Sequence, residues 1–320
     1  MLQMRAPHSR FSRREFVYAA AGFISAGSLA AQQQPTFSTA VKVVNVLAVV
    51  RDKNGSLVRG LGKDDFTLFE NDRPQAIRYF SRESDLPLTI GLLIDTSLSQ
   101  RTVLDEEISA TSQFLETVLR ENKDNALIVQ FDRTILLRQN ETFSRKELEA
   151  SLRVLDTPDP DSGPGGTLLY DAIRFASTQK MLQQAGRKAV IILSDGVDNG
   201  SHITLSDAID AAERSDTLVY GILFSDEYAY GKPSRHAAAP PGRPTLEKLA
   251  QQTGGGFFQV SKRQTIQQTF SQIEEELRNE YSLGYISDQP VAAPGFRNIR
   301  LETKKKGLAV QARHRYYAEP

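Results

Sequence analysis

Leu88-Thr89-Ile90-Gly91-Leu92-Leu93-Ile94, closed by Asp95-Thr96-Ser97-Leu98-Ser99, is the stretch from which the fold is read. A short, unbroken apolar run rich in branched side chains predicts a strand buried on both faces, the habit of a parallel sheet covered by helices. Asp95, Ser97 and Ser99 then leave the carboxyl end of that strand, where open α/β sheets bind their ligands. One carboxylate and two hydroxyls are hard oxygen donors. They suit Mg²⁺, which takes oxygen ligands in near-octahedral geometry and keeps some of its water; Mn²⁺ and Ca²⁺ are the alternatives.

Two later segments repeat the pattern. Lys188-Ala189-Val190-Ile191-Ile192-Leu193-Ser194 is a second buried-strand run, and it delivers Asp195-Gly196 at its end. Between the two runs, Gly163-Pro164-Gly165-Gly166-Thr167 opens the helical pattern Leu168, Leu169, Ala172, Ile173 and Phe175, which places Thr167 at a helix start. Each piece alone has a plainer reading. Ser97, Ser99 or Thr167 would be a helix N-cap, and Asp195-Gly196 a turn. In this order and strand context, however, D-x-S-x-S, then Thr, then D-G resembles the metal-ion-dependent adhesion site of the von Willebrand factor A (VWA) family. The resemblance implies that Ser97, Ser99 and Thr167 contact a divalent metal and that Asp95 and Asp195 hold it directly or through water. It also implies that an Asp or Glu carboxylate of a protein partner completes the shell.

The same periodicity organises the middle of the chain. Strands are expected at 88–94, 126–131, 134–138, 189–194, 218–224 and 256–260, and helices at 102–120, 145–155, 168–184, 205–214, 245–252 and 265–280. Asp132-Arg133 is too short for a crossover, so the second and third strands must form an antiparallel hairpin. The fold class is therefore α/β: a doubly wound, mostly parallel six-stranded sheet flanked by helices, expected over residues 86–280.

Both ends read as β. Val41 to Val50 is followed by the Asn54-Gly55 turn and a strand return through Ser56 to Val58. Asp64 to Glu70 and Ala76 to Phe80 follow, with a turn at Asn71-Asp72-Arg73-Pro74. At the far end, Tyr281 to Ile286, Phe296 to Thr303 and Leu308 to Tyr317 are strand-like. Neither group is large enough to stand alone, so residues 38–85 and 281–318 are expected to pair into one small β-sandwich into which the α/β part is inserted. This order of a β segment, the metal motif and a closing Tyr316-Tyr317 resembles an exported bacterial subgroup of VWA-related proteins best known from Acidobacteria.

Ser12-Arg13-Arg14-Glu15-Phe16-Val17, a weakly apolar stretch to Leu29 and the small residues Ser28 to Ala31 resemble a twin-arginine export signal over residues 1–31. The expected location is periplasmic or extracellular, with no membrane span in the mature chain unless the signal stays uncleaved. Lys plus Arg and Asp plus Glu both number 39, so no global field recruits nucleic acid or an anionic membrane. The absence of cysteine excludes disulfides, thiolate metal sites and cysteine nucleophiles.

Two loops flank the site. Asp156 to Gly166 is expected to border the metal mouth, while Ser225 to Pro244, with Tyr228 and Tyr230, reads as a long insertion. Asp161, Asp198 and His202 are assigned to the rim that meets a partner. The function expected is a Mg²⁺-dependent, adhesion-type protein-binding module of the cell envelope, with no catalytic residue. The alternatives are a metal-assisted hydrolase, for which no H-E-x-x-H, G-x-S-x-G or P-loop motif is present, and a metal-free structural protein.

Overall fold

The computed structural model describes residues 42–82, 86–159, 161, 165–224, 240–289 and 292–319. The export segment expected at 1–31, together with Tyr228 and Tyr230, lies outside the described residues. Strand β1 (Val44–Arg51) comes first among the described elements, and β2 (Phe66–Glu70), β3 (Arg73–Gln75) and β4 (Ile77–Arg82) follow. The α/β part then runs β5 (Leu88–Asp95), α1 (Leu104–Val118), β6 (Asn125–Phe131), β7 (Ile135–Thr142), α2 (Arg145–Leu152), α3 (Leu169–Phe175), β8 (Arg187–Ser194), α4 (Leu205–Arg214), β9 (Leu218–Leu223), α5 (Arg243–Thr253), β10 (Phe257–Gln259) and α6 (Ile266–Arg278). Strands β11 (Tyr281–Tyr285), β12 (Gly295–Thr303), β13 (Ala309–Ala312) and β14 (Arg315–Ala318) close the chain.

The six central strands lie in the order β10-β9-β8-β5-β6-β7, all parallel except β7, which turns back against β6 at the edge. Every residue of β5 and β8 is buried, as their unbroken apolar runs require. Alternate side chains serve two cores. Ile90, Leu92 and Ile94 pack under α1 and α6, whereas Leu93 joins the core beneath α3, α4 and α5. Gly91 lets that second layer approach closely, because a Cβ there would lie 2.6 Å from the Met181 Cε. The helix expected over 168–184 is not continuous. It is α-helical to Phe175, widens into a π-turn at Ala176–Lys180 and tightens to a 3₁₀ turn at Met181–Gln183. Thr178 Oγ1 donates to the Arg174 carbonyl at 2.8 Å, a side-chain competition that loosens the backbone ladder.

The terminal strands build two four-stranded antiparallel sheets, β13-β1-β11-β4 and β14-β12-β2-β3, each drawing strands from both ends of the chain. Their facing residues, among them Val46, Leu68, Tyr285, Ile299 and Tyr316, share one core. Three details differ from the expectations. The strand return after Asn54-Gly55 is a single bridge, Arg51 to Leu57, because β13 holds one edge of β1 and β11 takes most of the other. The stretch 73–75 is a strand despite Pro74, which is tolerated because β3 lies at a sheet edge. Leu308 to Tyr317 is two strands in different sheets: β13 pairs with β1 and β14 with β12. The switch falls at Arg313-His314, where Arg313 bonds the Asp216 carboxylate and His314 N–H donates to the Gln252 carbonyl at 3.2 Å.

Buried charge ties the layers together. Glu70, with no exposure, accepts from Tyr285 Oη and Ser287 Oγ at 2.6 Å each, from Arg297 Nη1 at 2.8 Å and from Tyr316 Oη at 2.9 Å. One N-terminal residue is thus held by four C-terminal ones. Glu276 of α6 is paired with Arg51 of β1, and Arg187 at the foot of β8 pairs with Glu280 at 3.3 Å. No helix among the described residues is long and apolar enough to cross a membrane.

Candidate metal centre

Strands β5 and β8 run side by side in parallel register, with Ile94 opposite Leu193, so Asp95 emerges level with Ser194 and one residue short of Asp195. Neighbouring strand ends thus bring the two carboxylates together. Asp95 is fully buried: its Oδ1 accepts from the Ser97 N–H at 2.9 Å and its Oδ2 from the Ser194 hydroxyl at 2.6 Å. Burial pushes the Asp95 carboxyl up to about 7, and the neighbouring Asp195 charge adds to the rise, against the hydrogen bonds from Ser194 and Ser97. Asp195 is half-buried, and its Oδ1 accepts from the Val197 N–H at 3.0 Å. The turn after it needs glycine, because Gly196 sits at φ 77° and a Cβ there would lie 2.4 Å from the Gly242 carbonyl oxygen.

The loop after β5 turns back at once. Ser97 is buried, Ser99 is exposed, and their hydroxyl oxygens stand 3.1 Å apart. Thr167 is buried and pinned by backbone bonds in both directions to Asn199, at 2.9 Å each, which fixes it against the loop that carries Asp195. The following Leu168 N–H donates to the Asp132 carbonyl at the end of β6 at 2.8 Å. Below this floor, Thr96, Gln130 and Asp132 form a buried network: Gln130 Nε2 donates to Thr96 Oγ1 at 2.9 Å, and that hydroxyl donates to Asp132 at 3.1 Å.

The donor set fits a small, hard cation. Two ligands on adjacent corners of an Mg²⁺ octahedron, with bonds of about 2.0–2.1 Å, are about 2.9 Å apart, whereas Ca²⁺ bonds of about 2.3–2.6 Å would separate them by about 3.3–3.7 Å. The Ser97 to Ser99 oxygen spacing of 3.1 Å falls between the two. With two carboxylates and three hydroxyls, the set contains no group of three or more His, Cys, Asp or Glu, and none occurs among the described residues.

The residues assigned to the rim make bonds of their own. Asp198 Oδ1 accepts from the Tyr170 N–H in the first turn of α3 at 3.1 Å and from Ser201 Oγ at 2.6 Å. His202 Nδ1 lies 2.8 Å from the Asp171 carboxylate, its ring largely exposed. Asp161 is exposed, and its N–H donates to Asp159 Oδ1 at 2.9 Å. None of the three is hydrogen-bonded to the five donors. Three residues around the site escape a sequence reading: Ser194, which buttresses Asp95, and Gln100 and Glu107, both without exposure. Glu107 carries the one available signal. It is a charge set in the buried stripe Leu104, Ala110, Thr111, Phe114 of α1.

No curated protein matches the chain. Among solved structures, it is similar to the protein BatB of Bacteroides thetaiotaomicron (16% identity, covering 60% of this chain and 97% of that one, TM-score 0.44). It is also similar to the vWF domain of the type V pili tip protein Mfa5 from Porphyromonas gingivalis (12%, 59% and 94%, TM-score 0.45). Proximal thread matrix protein 1 from the mussel byssus, in a form with a zinc-occupied MIDAS motif, is a third (13%, 66% and 50%, TM-score 0.49). The family model for the von Willebrand factor type A domain matches residues 89–272, more than half of the sequence, and the chain belongs to that family.

Proposed function

We propose that this chain is a metal-dependent protein-binding module that works outside the cytoplasm. Asp95, Ser97, Ser99, Thr167 and Asp195 hold a divalent cation, Mg²⁺ first, and a partner presents an Asp or Glu carboxylate to it. Membership of the VWA family, whose domains are typically protein-interaction modules, supports the general class. The observation that carries the metal is the Asp95 carboxylate, fully buried beside Asp195 with two neighbouring serine hydroxyls following it. Burying a carboxylate next to a second one is unfavourable unless a cation offsets both charges.

In this reading the cation supplies an electrophilic, open coordination position. The residues of the chain do the rest: Ser194 and the Ser97 N–H orient Asp95, the Asn199 backbone fixes Thr167, and Gly196 permits the turn that aims Asp195. A partner carboxylate bound there makes a charge-assisted contact, and the surrounding loops set which partner is accepted. Residues 86–280 are assigned to binding, and the paired segments 38–85 and 281–318 to carrying them. Export by the twin-arginine route belongs to the same proposal and rests on the residue pattern at 12–31.

Isothermal titration of Mg²⁺ and Mn²⁺ into chelator-treated protein tests the site. Binding by the wild type that is lost in Asp95→Ala and weakened in Thr167→Ala, with all three folded, is the expected result. Equal binding by wild type and Asp95→Ala would sink it.

A further inference from the structure

We propose that Glu107 is an outer-shell carboxylate of this metal centre, accepting hydrogen bonds from water carried by the cation, with the Gln100 side-chain carbonyl as a second acceptor. The assignment rests on the metal-binding reading above. It comes from what the inner face of α1 presents. The turn at Leu98–Gln100 leads into α1 through successive backbone bonds, Val103 N–H to the Gln100 carbonyl and Glu107 N–H to the Val103 carbonyl, each 3.0 Å. Gln100, in the turn before α1, and Glu107, in the first turn of α1, are linked by one three-residue and one four-residue turn and so share a face. That face is turned to the sheet, and neither residue has any exposure.

Both carboxylate oxygens of Glu107 and the Oε1 of Gln100 are buried without a hydrogen-bond partner among the described residues. The charges acting on Glu107 are those of Asp95, Asp195 and Glu106, all of the same sign as its own. Among the described residues, then, nothing compensates this carboxylate, which is fully out of solvent, and burial together with the like charges pushes its carboxyl well above the ordinary glutamate value. A cation between Asp95 and Asp195 reverses the sign of that environment. The orphaned atoms also have the right polarity. Water bound to a metal offers hydrogens outward, and all three orphans are acceptors. Gln100 reaches the site from its other end, because its Nε2 lies 3.4 Å from Ser99 Oγ. Mg²⁺ retains several waters when protein ligands are few, and those waters need such acceptors.

Calorimetric titration of Mg²⁺ and Mn²⁺ into the chelator-treated full chain tests the assignment, comparing wild type with Glu107→Gln and the apolar Glu107→Met. Thermal unfolding of each protein is followed in chelator and in saturating metal. The expected result is metal affinity weakened by about 10- to 100-fold in both variants, the usual effect of losing an outer-shell partner. In chelator both variants unfold at a higher temperature than wild type, because the cost of burying an acidic group beside Asp95 and Asp195 is removed. A buried Glu107 with a purely structural role leaves the metal Kd unchanged, and that result overturns the assignment. Asp95→Ala reports separately on the centre itself: wild-type binding lost there but kept in Glu107→Gln defeats only the role of Glu107. A wild type that binds neither ion removes both. Should Glu107→Gln fail to fold, Glu107→Met carries the comparison.

Discussion

Glu70 keeps its charge without any exposure, and the reason is its company. Burial pushes its carboxyl up, but hydrogen bonds from Ser287, Tyr285, Tyr316 and Arg297 together hold it below the ordinary glutamate value of 4.5. A carboxylate depressed in the folded state adds stability above its unfolded value, and that stability is lost as the pH falls through the folded one. Glu70→Gln is therefore expected to cost about 3–5 kcal/mol near neutral pH, since it removes the buried charge that Tyr285, Ser287, Tyr316 and Arg297 all bond. It should also flatten the loss of stability below pH 4.5. Urea unfolding of both proteins across that range measures the difference, and parallel acid limbs would contradict the assignment. At this scale the five proposed metal donors can be picked out in the sequence because each stands at a strand end or helix start that hydropathy marks. Ser194, Gln100 and Glu107 are not, since a serine closing a strand or a polar residue on a helix looks ordinary until packing shows which way it points.

Helix α6 shows how far an element can be read from local chemistry. Thr265 Oγ1 accepts from the Gln268 N–H at 3.2 Å while Gln268 Oε1 accepts from the Thr265 N–H at 3.0 Å, a reciprocal cap that is already visible as T-x-x-Q before an apolar stripe. Thr265→Ala is expected to cost about 1 kcal/mol. Amide hydrogen exchange should rise first in the opening turn of α6, and unchanged protection there would show that packing of Ile266 and Phe270 alone fixes the start. The α4 boundaries at Leu205 and Arg214 are legible for the same reason, a Thr204-Asp207 cap at one end and Arg214 at the other. What eludes the sequence is non-local. The break between β13 and β14 depends on which sheet has a free edge, and the π-turn at Ala176–Lys180 accompanies a hydroxyl bond that the pattern does not show. Hydrophobic periodicity carries neither.

For the molecule as a whole, the decisive contacts join the sandwich to the foot of the central sheet. Arg51 of β1 pairs with Glu276 of α6, Gln311 of β13 donates to the same carboxylate at 3.3 Å, and Arg315 of β14 meets Glu213 of α4 at 2.6 Å. Arg51→Ala leaves the Glu276 carboxylate buried and short of its cation, at an expected cost of about 3–5 kcal/mol. Because the two parts share these contacts, calorimetry should show one transition moving down in temperature. Two resolved transitions in the wild type would instead mean that the parts melt independently. The α/β class and the insertion between two β segments are legible from strand and helix counts, whereas these cross-ties, made by polar and charged residues apart in sequence, are not.

The sandwich sits at one pole of the sheet and the five donors at the other, with β5 as the direct line between them. That strand leaves the sandwich after β4, runs its eight residues, about 26 Å at roughly 3.3 Å each, and ends in Asp95. Parallel neighbours hold it on both sides, β8 and β6. A pull on a partner seated at Asp95, resisted at the sandwich, would load β5 along its own length. The hydrogen bonds to both neighbours would then have to shear together rather than open one after another. Mechanical endurance of this kind is a property of the unfolding rate rather than of equilibrium stability. If the proposed partner binds at Asp95, the fold would carry tension along β5, a demand placed on any tether between two moving surfaces.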